Sequence, residues 1–217
     1  TAWALVRYPF PGRALLSAAW YVAASEDPRA SKMRPDALAT LRAELDQLGF
    51  LDEYRGTDGA LRLQDWGVIL AEGADAAVFL NGQLTQDMLH LEPARASLAG
   101  YCSPKGRLLA TFLAWRVSTD SFALACSADL LPATLKRLSM FVLRAKLTLD
   151  APGDSQCVVG LAGDAAEQLL GRAAAALAPW QQCVVEGAAL VRLPDGAGIR
   201  RWLWIGPTQS AAAWVTA

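Results

Sequence analysis

The sequence predicts an α+β protein of antiparallel sheets with flanking helices. Three observations predict it. Apolar runs of strand length recur in pairs after about residue 60. The helical stretches between them are few, rather than one after every strand as a parallel sheet requires. Turn residues, such as Pro194-Asp195-Gly196, join neighbouring runs at hairpin distance.

Taken in order, residues 1–35 read as irregular, because Pro9, Pro11, Pro28 and Pro35 interrupt them. A helix is predicted over 36–49, where Leu38, Leu41, Leu45 and Leu48 recur at helical spacing and Gly49 ends the pattern. Gly56 to Gly59 reads as a turn. Strands are predicted at 67–71, 107–115 and 122–126, with short helices at 74–80 and 130–140. The clearest strand signal lies at 141–149, where Leu143, Ala145, Leu147 and Leu149 alternate with Arg144, Lys146 and Thr148. A helix over 164–178 opens on Asp164 and Glu167, a variant of the capping box, and stops before Pro179. Two further strands are expected at 183–192 and 200–205.

Composition narrows function by exclusion. Of 217 residues, 53% are hydrophobic and 19% charged, too apolar a balance for a disordered chain. Lys plus Arg (20) nearly balances Asp plus Glu (21), which argues against direct nucleic-acid binding by the whole surface. Residues 100–150 are locally positive, with seven bases against three acids, whereas 36–92 hold eleven acids and three bases. That positive stretch is either an anion site or, more commonly, a solvated face. His90 is the single histidine, so neither a multi-histidine metal site nor a histidine pair is available, and His90 itself reads as structural. Cys102, Cys126, Cys157 and Cys183 lie at least 24 residues apart, without zinc-ribbon spacing. They read as buried thiols of a reducing, cytoplasmic compartment. The uncharged stretch Ala14–Ser25 is too short to span a bilayer, and no membrane association is expected.

The motifs form an ordered series. Asp65-Trp66-Gly67 leads a strand, and Gly73-Ala74-Asp75-Ala76-Ala77 runs into Phe79-Leu80-Asn81-Gly82-Gln83-Leu84-Thr85-Gln86-Asp87. Tyr101-Cys102-Ser103-Pro104-Lys105-Gly106-Arg107 follows, then Lys136-Arg137 and Phe141-Val142-Leu143-Arg144-Ala145-Lys146, and finally Gly160-Leu161-Ala162-Gly163. Each motif is short, but their order and spacing resemble the YgfZ-type folate-binding proteins, relatives of the glycine-cleavage T-protein. The resemblance covers about residues 60–217. It divides the chain into an unmatched 1–59, a first part of a folate-binding region at 60–150 and a second part at 151–217. It implies that the chain is the N-terminal portion of a longer protein, with Met33 a candidate native start.

The resemblance implies antiparallel α+β domains around a cavity for tetrahydrofolate or a derivative. It assigns Trp66 to ligand contact, where composition alone favours a core tryptophan. Gln83, Thr85 and Asp87 either hydrogen-bond a pterin edge or cap their own turn. Lys105, Arg107, Arg144 and Lys146 either meet the glutamate tail of folate or form a solvated basic edge. Cys102, beside Lys105, reads as structural. The T-protein enzymes carry an aspartate where this chain has Leu109-Ala110-Thr111, and an apolar side chain cannot move a proton or stabilise a developing cation. The Lys-Gly-Cys signature of YgfZ-type proteins is absent. The expectation is therefore a folate-binding accessory protein with no catalytic residues of its own. It supports iron–sulfur enzymes and, through one of them, tRNA modification. Aminomethyl transfer and a ligand-free interaction module are the alternatives.

Overall fold

A computed structural model of the protein describes residues 59–172, 176–196 and 198–215. The predicted 36–49 helix and the irregular 1–35 segment lie outside the described residues. The elements run β1 (Gly59–Leu63), β2 (Trp66–Glu72), α1 (Ala76–Gln83), β3 (Ala96–Cys102), β4 (Leu108–Ser118), β5 (Ser121–Ser127) and α2 (Leu131–Ser139). They continue with β6 (Thr148–Asp150), a 3₁₀ turn (Gly153–Ser155), β7 (Gln156–Ala162) and α3 (Gly163–Leu170). Then come β8 (Gln182–Val185), β9 (Ala188–Gly196), β10 (Ile199–Pro207) and α4 (Thr208–Val215).

Two five-stranded antiparallel sheets result. The first has the order β3-β4-β5-β2-β6 and the second β1-β7-β10-β9-β8. Side-chain alternation then sets the layers. On the first sheet Ile69, Phe112, Phe122, Leu124 and Cys126 face outward and are covered by Phe79 and Leu80 of α1 and Leu138 of α2. On the second, Val159, Leu161, Leu190, Trp202 and Trp204 face outward beneath Ala166 and Leu170 of α3 and Ala211 of α4. The opposite faces, with Val68, Leu113, Trp115 and Ala125 from one sheet and Val158, Val191, Leu203 and Ile205 from the other, pack together. The layers therefore run helix, sheet, sheet, helix. Central strands are apolar on both faces, which accounts for the continuous runs of β5 and β10.

Several elements depart from the sequence reading. The predicted strand 141–149 is a strand only over Thr148–Asp150. Residues 141–147 form an irregular return from α2, with Leu143 85% exposed. Alternation there had no neighbouring strand to pair with, and alternation without a ladder does not make a strand. The return is held instead by a close approach to Gly73, whose φ is +141°. A Cβ at Gly73 would collide with the Lys146 carbonyl and come within 2.6 Å of the Leu147 Cα. The Lys146 N–H donates to Asp75 Oδ2 at 2.7 Å.

The 183–192 run is two strands, not one. They are joined by Glu186-Gly187, both at positive φ, as a two-residue type I′ hairpin requires. The 164–178 helix ends at Leu170, where Gly171 takes a φ of +58°. Its expected capping box does not form: Ala162 is the N-cap, no side chain caps it, and Glu167 pairs with Arg200 at 2.8 Å instead. The strands β1 and β3 escaped the sequence reading because their Gly, Ala and Ser content carries little strand signal. Of the four thiols, Cys126 and Cys157 are buried, while Cys102 and Cys183 are only partly so.

Candidate functional site

The chain crosses from sheet to sheet twice at one end of the sandwich. The first crossing leaves β1 at Leu63 and enters β2 at Trp66. The second leaves β6 at Asp150 and enters β7 at Gln156 through the 3₁₀ turn. A cleft of about 440 Å³ opens between these crossings and the start of α2. Junctions between layers are where ligand clefts concentrate, because neither sheet closes them alone.

Trp66 lines this cleft. It is half-buried at the start of β2 and packs against the apolar layer between the sheets. Its register partner is Ser127 of β5, and the Ala128 N–H donates to the Asp65 carbonyl at 2.8 Å, which fixes the backbone on both sides of the indole. The next residue is Gly67, and Leu131 of α2 fills the space that a Cβ there would need. Val68, Leu131 and Val158 supply further apolar wall, and Arg62, Gln64, Asp154 and Gln156 supply polar groups. A flat ring against an indole face with polar groups at the margin is the arrangement such a cleft offers.

The other ligand contacts expected from the sequence lie elsewhere; none of them lines the Trp66 cleft, although the Cys157 thiol does. Thr85 accepts a hydrogen bond from the Gly100 N–H at its Oγ1, 2.8 Å away, and donates its own N–H to the Gly100 carbonyl. Asp87 Oδ1 accepts from the N–H groups of Leu89 and His90, and Oδ2 meets His90 Nδ1 at 2.8 Å. These bonds hold the Asp87 carboxyl below its ordinary value, chiefly through the His90 side chain. Asp87 thus bonds within its own turn, whereas Thr85 ties the end of α1 to β3. Gln83 is half-buried at the end of α1. Lys105 and Arg107 are exposed on the β3–β4 hairpin, and Arg144 and Lys146 are exposed on the irregular return rather than on one strand face. Sequence reasoning passed over Arg62, Gln64, Asp154 and Gln156. Asp154 is some ninety residues from Trp66, and only the second crossing brings the two together.

A larger hollow, about 580 Å³, lies beside Arg95 and Trp180. Trp180 has a φ of +67°, and its backbone explains why. Its N–H donates to the Arg192 carbonyl and its carbonyl accepts from Ala96, so one residue ties β9 to β3. Gln182 Nε2 adds donations to the Pro93 and Arg116 carbonyls. That junction fastens the sheets together and holds none of the motif residues in the Trp66 segment. Among the described residues no group of three or more His, Cys, Asp or Glu side chains is placed to hold a metal ion. No helix among them is long and apolar enough to cross a membrane.

No family model matches the chain. It is 30% identical over 154 residues to the tRNA-modifying protein YgfZ of Pectobacterium carotovorum, covering 70% of this chain and 45% of that protein. It is 33% identical over 90 residues to an uncharacterised protein of Haemophilus influenzae, covering 42% of this chain and 32% of the relative. Among solved structures, the glycine cleavage system aminomethyltransferase T of Bartonella henselae superposes with a TM-score of 0.67 at 18% identity, over 76% of this chain and 47% of that one. The chain thus spans less than half the length of each of these relatives. The double antiparallel sheet is an aminomethyltransferase-like α+β fold. Within that class its sequence is similar to the tRNA-modifying YgfZ proteins.

Proposed function

We propose that this chain binds a reduced folate, tetrahydrofolate or a derivative, in the cleft bordered by Trp66, and that it serves as an accessory protein rather than an enzyme. The observation that carries the reading is Trp66 itself, half-buried between the two sheet crossings with an open cleft against it. Flat pterin and aminobenzoyl rings match an indole wall. The proposal extends to the role named for its YgfZ relatives, tRNA modification, reached through support of iron–sulfur proteins in the cytoplasm rather than by gripping RNA directly.

Aminomethyl transfer is the weaker reading. It needs a carboxylate to handle charge and protons on the folate-bound carbon. Leu109 is half-buried, Ala110 is buried and Thr111 is exposed on β4, and none of them supplies one. Gln83, Thr85 and Asp87 for the pterin edge, and Lys105, Arg107, Arg144 and Lys146 for the glutamate tail, remain the alternative set of proposed contacts, outside the cleft.

Calorimetric titration of the chain with 5-formyltetrahydrofolate tests the reading. Binding is expected, with Trp66→Ala weakening it at least about tenfold, the scale of a lost aromatic stacking partner. An unchanged affinity in Trp66→Ala removes the ligand from this cleft.

A further inference from the structure

The Trp66 cleft carries two opposite charges that the fold itself does not use. Arg62 lines it from β1, where backbone pairing with Val159 of β7 fixes the residue. Asp154 lines it from the 3₁₀ turn, whose carbonyl at the same residue accepts from Thr208 Oγ1 at 2.7 Å. Ser155 Oγ donates to the Pro152 carbonyl at 2.8 Å and braces the turn further. Both backbones are therefore pinned. Among the described residues, neither side chain makes a hydrogen bond or ion pair, with the other or with anything else.

Other arginines on the same two sheets behave differently. Arg116 donates to the carbonyls of Met88, Leu89, Leu91 and Thr119. Arg192 pairs with Asp195, and Arg200 pairs with Glu167. Arg201 donates to the Pro194 carbonyl. Arg62 and Asp154 are thus a cation and an anion on fixed backbone, at one aromatic-walled cleft, each with its bonding capacity unspent.

We infer that Arg62 and Asp154 set the specificity of this cleft for a ligand with a donor-rich planar ring and an anionic tail. The inference rests on the folate reading above and deepens it. A carboxylate has two acceptor oxygens and meets two adjacent N–H donors on a ring edge; a single amide oxygen, as on Gln64 or Gln156, cannot match both. Asp154 therefore takes the amino-pyrimidinone edge of the pterin. A guanidinium presents a planar fork that fits a carboxylate, so Arg62 takes the glutamate end. Between them Trp66 covers the ring face. The cleft volume of about 440 Å³ lies within the range of small-molecule sites.

The test titrates the full chain and its variants with two probes, 5-formyltetrahydrofolate and 6-methyltetrahydropterin, which has the ring and no carboxylate. Arg62→Gln is expected to weaken the first probe about 10- to 100-fold, the scale of a lost charge-assisted hydrogen bond, and to leave the second unchanged. Asp154→Asn is expected to weaken both probes by a similar factor. Both residues are exposed, so circular dichroism and melting temperature should match the parent chain. Wild-type binding that neither variant alters overturns the assignment of these two residues and leaves the folate reading standing. A loss of equal size on both probes in Arg62→Gln overturns the tail assignment. A parent chain that binds neither probe overturns the folate reading and this inference with it.

Discussion

The outer faces of the two sheets solve one packing problem with different chemistry. On the first sheet, Ile69, Phe112, Phe122 and Leu124 meet the helices as a mainly hydrocarbon layer that also holds Tyr101 and Cys126, and the half-buried Arg116 lies over the Phe122 ring at 4.5 Å with its guanidinium bonded to backbone carbonyls. On the second, Trp202 and Trp204 fill the same role, and Arg192 lies over the Trp202 ring at 5.0 Å while pairing with Asp195. Arg192 is 4% exposed, and the Trp202 indole N–H is buried with no hydrogen-bond partner among the described residues. An unpaired buried donor costs about 1–3 kcal/mol, so the second layer carries penalties the first avoids. The first sheet should therefore respond to lost volume, and the second should tolerate losing polar atoms.

The largest expected effect is Phe112→Ala. Phe112 is fully buried at the centre of the first layer, and its removal should cost about 3–5 kcal/mol by urea denaturation. A loss below about 1.5 kcal/mol would mean that the layer can collapse around the hole and is not the rigid one described.

A pH experiment probes the same layer. Burial pushes the Cys126 thiol from 9.0 up to about 12, with Asp129 adding to the shift. The folded state thus holds this proton more tightly than the unfolded one. The stabilisation is complete below pH 9, and is lost as pH rises from there towards about 12. The slope approaches about 1.4 kcal/mol per pH unit in that window. Comparing urea midpoints of the parent and Cys126→Ala at pH 8 and pH 10.5 isolates this contribution from the other titrating groups. Parallel pH profiles would show that the thiol is reached by solvent.

The smallest effect is expected on the second sheet. Trp202→Phe deletes ring volume and also the unpaired N–H, and the two changes oppose one another. Net stability should stay within about 1 kcal/mol of the parent. A loss of several kcal/mol would erase the contrast between the layers and show that the indole N–H is satisfied after all.

How far the sequence could be read depended on where its signals came from. β4, β5 and β10 were legible because uninterrupted apolar runs of strand length have few other uses. The β8–β9 hairpin was not, because Val185-Glu186-Gly187-Ala188 hides its turn inside one apolar run. The 141–149 segment misled for the opposite reason. Its alternation is real, but the chain there returns across α2 with no ladder to join. In the Trp66 cleft, Trp66 was singled out by its motif, whereas Arg62 and Asp154, which line the same cleft, carry no motif. Asp154 acquires its place only when β7 pairs with β1.

By itself, the sequence determined the chemistry available: one histidine, four separated thiols, no carboxylate at Leu109 to Thr111, and a tryptophan after an acidic residue at a strand start. It also determined the class of fold, because strand-length runs and sparse helices allow few other layered packings. The tertiary structure alone decided which charges share a cleft. Local pattern fixes the conformation of neighbouring residues, but contacts between residues ninety apart depend on sheet order and on which crossings fall at the same end. Those crossings put Arg62, Trp66 and Asp154 together, and left Lys105, Arg107, Arg144 and Lys146 on other surfaces.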